Sequence, residues 1–300
     1  METHEDPPSL PGDWLGMTVR KVNNKPEFII FGAWCGTRLP YLKSLYEEMF
    51  ERYSLPDFNW IIVCAHDYDG EPALSKPNAG NKHEVIYKFD NNEKLYPLLA
   101  AASKTGSYNG VAPDWGFWGW PESFQPSFEA SRIEFSKITA PPQTDLAGWR
   151  GTLHTDMRRV LLEMADQNPH LFDCKEVTHM TGPNILNYHQ QIAKWRYFLD
   201  LEGHVHGYSG RVKTLLGIPR LVFLQDRTYT EDFHQWLVPW EHYVPFKNDL
   251  SDLIENLNII KANPNQERDI IAAANEFSRK HLTLDAALER LYNRILSYID

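Results

Sequence analysis

Asp67 stands just after the apolar run Phe58 to Ala65, in the stretch "FNWIIVCAHDYDGEP". A carboxylate at the C-terminal end of a strand in an open α/β sheet lies where ligands bind. Within hydrogen-bond reach of a substrate hydroxyl it acts as a general base. Two other readings of the same residues stay open. Asp, Gly and Pro favour turns, so the segment also reads as a solvated turn. Asp67-Tyr68-Asp69 is also a D-x-D tripeptide, a common pattern that can hold a divalent cation against a diphosphate.

Two further stretches could bind an anion. In "GWRGTLHTDMRR", Arg150, Gly151 and Thr152 precede an expected helix start, with Thr155 or Asp156 near its N-cap. Free N–H groups at a helix start attract anions. An arginine adds a bidentate fork, and a glycine permits close backbone approach. In "LEGHVHGYSGRVKTLLG", a strand ends at Glu202-Gly203, and Ser209-Gly210-Arg211 opens a helix. The GK[ST] element of a P-loop is missing. His204 and His206 are two apart with no third ligand nearby in sequence, so structural or substrate contacts are the first reading for them. A fourth stretch, "APDWGFWGWPES", crowds Trp115, Phe117, Trp118 and Trp120 among glycines and prolines. Rigid aromatic faces offer a ligand a large contact surface at low entropic cost. The same rings serve equally well as core.

These residues need elements to hold them. "KPEFIIFGAW" (25–34) reads as a strand, "LPYLKSLYEEMFERY" (39–53) as an amphipathic helix, and "FNWIIVCA" (58–65) as a buried strand. The segment from about Asp69 to Gln143 is rich in Pro, Gly and aromatics. A helix is expected over 155–168. Strands at 197–203 and 220–225 flank a helix at 210–217, a second βαβ-like unit, and three helices close the chain. The expected fold is α/β, with two Rossmann-like lobes facing a central cleft. The boundaries drawn are 1–130 for the N-terminal lobe, 131–285 for the C-terminal lobe and 286–300 for a last helix.

The chain has 300 residues, 42% of them apolar, and a net charge of −10. That charge argues against nucleic acid as a partner, so a bound anion needs a local cluster of cations. No run reaches the roughly 18 apolar residues of a membrane span. "METHEDPPSLPGDWLGM" lacks the features of a signal peptide. Three scattered cysteines, Cys35, Cys64 and Cys174, form no disulfide framework. "AWCGTR" lacks a resolving cysteine, so these thiols read as buried or semi-buried, in a reducing compartment. The expected location is the cytoplasm.

From about Val22 onward the chain resembles glycosyltransferase family 90, which includes fungal capsule-associated xylosyltransferases and Rumi-type protein O-glucosyltransferases. The similarity runs through "LPDFNWIIVCAHDYD" (55–69), "PDWGFWGWPE" (113–122), "WRGT" (149–152), "LEGHVHGYSGRVKTLL" (201–216) and "LVPWEHYVPFKNDLSDL" (237–253), in that order. Asp69 replaces a proline frequent in the family, and Glu202 stands where many members have Asp. The secretory signal, the retention tail and many cysteines of the animal members are missing, which argues against a secretory-pathway protein acceptor.

The resemblance implies a GT-B fold and an inverting transfer of xylose or glucose from a UDP-sugar to a glycan or glycoconjugate hydroxyl. It implies Asp67 as base, and Arg150 and Arg211 on the diphosphate. Gly151, Thr152, Glu202, Gly203, Ser209 and Gly210 are implied around the donor, with Glu202 or nearby backbone on the ribose. Trp115, Phe117 and Trp118 are implied on the acceptor. With two arginines neutralising the leaving group, no metal is expected. A metal-dependent transferase using Asp67 and Asp69, and an inactive sugar-binding module, are the alternatives.

Overall fold

The computed structural model of the protein describes residues 16–31, 38–64, 86–88, 95–104, 110–119, 127–177, 184, 186–203 and 209–299. In chain order the elements are β1 (Gly16–Val22), β2 (Lys25–Phe31), α1 (Arg38–Arg52), β3 (Phe58–Cys64), β4 (Ile86–Lys88), β5 (Leu95–Ala100) and β6 (Ser103–Lys104). A 3-10 turn (Trp115–Phe117) and α2 (Phe128–Ser136) follow. Next come β7 (Thr144–Gly151), α3 (Asp156–Gln167), β8 (Phe172–Glu176), α4 (Tyr188–Lys194), β9 (Trp195–Asp200), α5 (Val212–Leu215), β10 (Leu221–Gln225) and β11 (Tyr229–Thr230). The chain ends with β12 (Val244–Phe246), α6 (Leu253–Ala262), α7 (Pro264–His281) and α8 (Leu284–Ile299). Two compact units result. One comprises Met1–Trp120, Tyr229–Asp232 and Leu284–Asp300; the other comprises Pro121–Thr228 and Phe233–Thr283.

The first unit carries a mixed sheet in the order β2-β1-β3-β5-β4. The strand–helix–strand reading changes in one respect: β1 lies between β2 and β3, antiparallel to both. A two-residue turn joins β1 to β2, with Asn23 and Asn24 at φ 51° and 63°. Asparagine is among the few non-glycine residues that tolerate this left-handed region. The Asp57 carboxylate accepts from both turn amides, at 2.8 and 3.0 Å. Helix α1 buries Leu39, Leu42, Leu45, Tyr46 and Met49, one face of a 3.6-residue period. Helix α8 returns to this unit: Tyr292 stacks on Tyr53 at 4.9 Å, and Arg52 pairs with Asp285 at 2.5 Å.

The second unit is a parallel five-stranded sheet in the order β12-β10-β9-β7-β8. Counted along the chain this is 2-1-3-4-5, a doubly wound order whose direction reverses between β7 and β9. One face of the sheet packs Trp149, Leu199 and Phe223 against Leu161 of α3 and Leu257 of α6. The other packs Trp195, Phe198 and Val222 against Phe135 of α2, Ile192 of α4 and Leu215 of α5.

Trp195 is fully buried, and its indole fills the space beside Gly148 on the neighbouring strand. A Cβ at Gly148 would lie 1.8 Å from that ring. Gly148→Ala is therefore expected to destabilise the protein by about 1–3 kcal/mol through forced displacement of the indole or of β7. The urea midpoint measures it; an unchanged midpoint would mean that Trp195 has another place to go.

Candidate functional site

All five strands of the second sheet end on the same edge, and several of the sequence-predicted residues gather there. Arg150 and Gly151 close β7, and Thr152 follows; Asp200 closes β9, and Glu202 and Gly203 follow. These two strand ends flank the point where the strand order reverses, the place at which open α/β sheets bind ligands. Arg211 links them. Its Nη1 donates to the Arg150 carbonyl at 3.0 Å, and its Nη2 lies 3.2 Å from Asp200 Oδ1. The arginine side chain keeps 24% of its surface open to solvent. Ser209 Oγ donates to Asp200 Oδ1 at 2.8 Å, and the Gly210 carbonyl accepts from Lys213.

Two expectations about this edge are corrected. Arg150 does not stand at a helix start; it lies inside β7, five residues before the N-cap Thr155. Its guanidinium is turned inward, with 6% of the side chain exposed. It donates to the Asp173 carboxylate at 2.8 Å, to the Asp173 carbonyl at 2.6 Å and to the carbonyls of Trp149 and Asn184, and lies 4.8 Å over the Trp195 ring. Gly151 is a glycine for a packing reason, because a Cβ there would meet the Trp149 indole at 2.5 Å. Arg211 opens a helix as expected, and the second correction is to the length of that helix, expected over 210–217. Arg211 is the N-cap of α5, which is a single turn of four residues. So short a helix carries little dipole, and the positive charge at this point comes from the arginine side chain.

Sequence reading missed three residues of the cluster. Asp200, fully buried, is its centre: besides Ser209 and Arg211 it receives Arg227, whose Nη2 lies 2.7 Å from Oδ2. The strand-end rule applied to Asp67 would have found it, since Asp200 ends the apolar run "YFLD". Arg158 shares the buried face of α3 with Leu161 and Ala165, at i, i+3 and i+7. It donates to the Glu202 carbonyl through Nε at 3.1 Å and Nη2 at 2.6 Å, and to the Thr152 carbonyl at 2.8 Å. Burial pushes the Arg158 guanidinium down to about 10, and the neighbouring charges of Arg211 and Arg227 push the same way against Asp200 and Glu202. Three guanidiniums and the carboxylates of Asp200 and Glu202 are thus gathered at one sheet edge, and Asp226 also couples to Arg227 there. Glu202 is buried, and its amide donates to Gln225 Oε1 at 2.8 Å.

Other expectations fall elsewhere. Trp115 and Phe117 are buried in the first unit, where Asp114 caps their 3-10 turn and Arg38 and Arg290 lie over the two rings. Trp118 is half-buried, so among the three it has the most surface to offer a ligand. Cys64 and Cys174 are buried. Asp67, Asp69, Trp120, Cys35, His204 and His206 lie outside the described residues. Among the described residues no group of three or more His, Cys, Asp or Glu side chains is arranged to hold a metal ion, and no helix is long and apolar enough to cross a membrane.

Residues 30–298 match the family profile described as "Glycosyl transferase family 90". The chain belongs to glycosyl transferase family 90. This family 90 chain is 26% identical over 272 residues to Protein O-glucosyltransferase 1 of Rattus norvegicus, covering 81% of the chain and 64% of that protein. It is 31% identical over 147 residues to Protein O-glucosyltransferase 2 of Danio rerio, covering 46% of the chain and 29% of that protein. The chain thus spans less than two thirds of the length of either relative. Among solved structures, the C-terminal domain of a Glycosyl Transferase Group 1 Family Protein (LpcC) from Francisella tularensis aligns with 51% of the chain and 93% of that domain, at 6% identity and a TM-score of 0.34.

The anchor of Arg150 in this family 90 chain is testable by pH. Burial raises the Asp173 carboxyl, but hydrogen bonds from Lys194, Trp195 and Arg150 outweigh it and hold the group at about 2. A depressed folded-state value stabilises above the unfolded value and is lost as pH falls. Asp173 should therefore contribute fully above about pH 4 and lose its contribution between about pH 4 and 2. Asp173→Asn should remove that segment of the stability–pH curve, roughly 1 kcal/mol after solvent screening. Urea unfolding of both proteins at pH 3 and 6 reads the difference, and parallel curves would show that Asp173 titrates alike folded and unfolded.

Proposed function

We propose that the chain transfers a sugar from a UDP-sugar to a hydroxyl of a glycan or glycoconjugate, with inversion and without a metal ion. Family membership supports the reaction class. The names of the curated relatives favour glucose, so UDP-glucose is the first donor to test and UDP-xylose the second. The observation that carries the donor side is Arg211: a partly exposed arginine at the reversal point of a parallel sheet, with the guanidiniums of Arg158 and Arg227 close by. The diphosphate would lie against it. The Arg150 side chain is committed within the sheet, and its contribution is the carbonyl that steadies Arg211.

In the proposed reaction the acceptor oxygen attacks the anomeric carbon while Asp67 takes its proton. The bond from that carbon to the diphosphate oxygen breaks on the opposite face, and the electron pair leaves with the diphosphate. Arg211 and its neighbours offset the charge that grows there, the point at which electrostatic stabilisation does most for rate. The arginine cluster supplies the positive charge that a divalent cation would otherwise bring.

Donor hydrolysis and transfer, assayed in excess chelator with both UDP-sugars, test this reading. Asp67→Asn should lower turnover by at least about 100-fold, the scale of a well-placed base, with UDP affinity nearly unchanged. Near-normal turnover would remove Asp67 from the mechanism. Arg211→Ala should weaken UDP binding by about 1.5–3 kcal/mol and catalytic efficiency by more. Lysine should rescue poorly because it lacks the fork. Calorimetric titration showing wild-type UDP affinity in a variant that melts lower would make Arg211 a brace.

A further inference from the structure

Asp200 holds two arginines of unequal standing. Arg227 is enclosed, with 1% of its side chain exposed, and meets Asp200 Oδ2 at 2.7 Å and the Asp200 carbonyl at 3.1 Å. Arg211 meets Oδ1 at the longer distance of 3.2 Å and keeps 24% of its side chain open. Ser209 holds the same Oδ1 at 2.8 Å. A carboxylate with no exposure cannot be left bare without a heavy cost. Here it would remain paired with Arg227 and Ser209 if Arg211 turned away. A long side chain with no resting partner also loses more freedom when a ligand fixes it.

We propose that Asp200 is a positioning residue for donor binding: its carboxylate is the resting partner of Arg211, presents that guanidinium at the β7–β9 reversal point and yields Nη2 to an arriving diphosphate, while Arg227 keeps Asp200 paired. The proposal rests on the donor reading of Arg211. It gives Arg227 a part without ligand contact, that of the permanent counter-ion which makes the exchange affordable.

UDP titrations on the full chain separate the cases. Asp200→Asn should weaken UDP binding by about tenfold, and in an Arg211→Ala background the same change should have an effect of less than about twofold, because coupled residues are non-additive. Asp200→Asn alone takes a carboxylate away from the buried Arg227 and could unfold the protein. The paired variant Asp200→Asn with Arg227→Gln removes both buried charges, and should keep the melting temperature near wild type while binding UDP about tenfold more weakly. If the Asp200 and Arg211 effects simply add, or if the paired variant binds UDP like wild type, Asp200 does not act through Arg211 and the proposal falls. If wild type fails to bind UDP, or Arg211→Ala binds it unchanged, the donor reading falls first and takes the proposal with it.

Discussion

A buried guanidinium has to be met by acceptors, and Arg150 is met by a carboxylate, three different backbone carbonyls and an aromatic face. Its partners come from β8, from β9 and from the segment before α4. Asp173 completes the arrangement by also accepting from the Trp195 indole at 2.9 Å and pairing with Lys194 at 2.5 Å. One charged knot therefore ties together three adjacent strands on one face of the sheet. The position of the Arg150 carbonyl follows from it, and so does the place where Arg211 is held.

The charge of the molecule is distributed on two scales. The chain as a whole carries −10, but beyond about 10 Å that field is largely screened at ordinary salt. Within the sheet edge Arg158, Arg211 and Arg227 lie close together among Asp200, Glu202 and Asp226. The field at the sheet edge is therefore set by these near neighbours rather than by the total charge of the chain.

Much of this was legible from residue types. The amphipathic face of α1, the apolar run of β3, and the β9–α5–β10 crossover follow from periodicity and run length, and the family motifs locate the glycine- and arginine-bearing loops. The strand β7 was not legible. "TDLAGWRG" has two glycines, no Val or Ile and little alternation, and its extended form is imposed by Trp195 filling the space of an absent side chain and by the tie between Arg150 and Asp173. Without β7, Arg150 looked like a helix-start residue. Strand β1 was missed because its pairing depends on a two-asparagine turn and on Asp57, more than thirty residues away in sequence. Asp200 carries the same strand-end signature as Asp67; what residue types alone do not show is that Arg211 and Arg227, both distant in sequence, meet on its carboxylate.

The place of α8 bears on how the molecule comes into being. The first unit contains the earliest strands of the chain and also its last helix, which buries Ala287, Leu288, Leu291 and Ile295 and stacks Tyr292 on Tyr53. On the ribosome, domains fold as units as they emerge. The second unit has every strand of its sheet by Phe246 and all its helices by His281. The unit begun first must wait for Leu284–Ile299 before its final surface can close. Order of synthesis and order of completion are thus reversed.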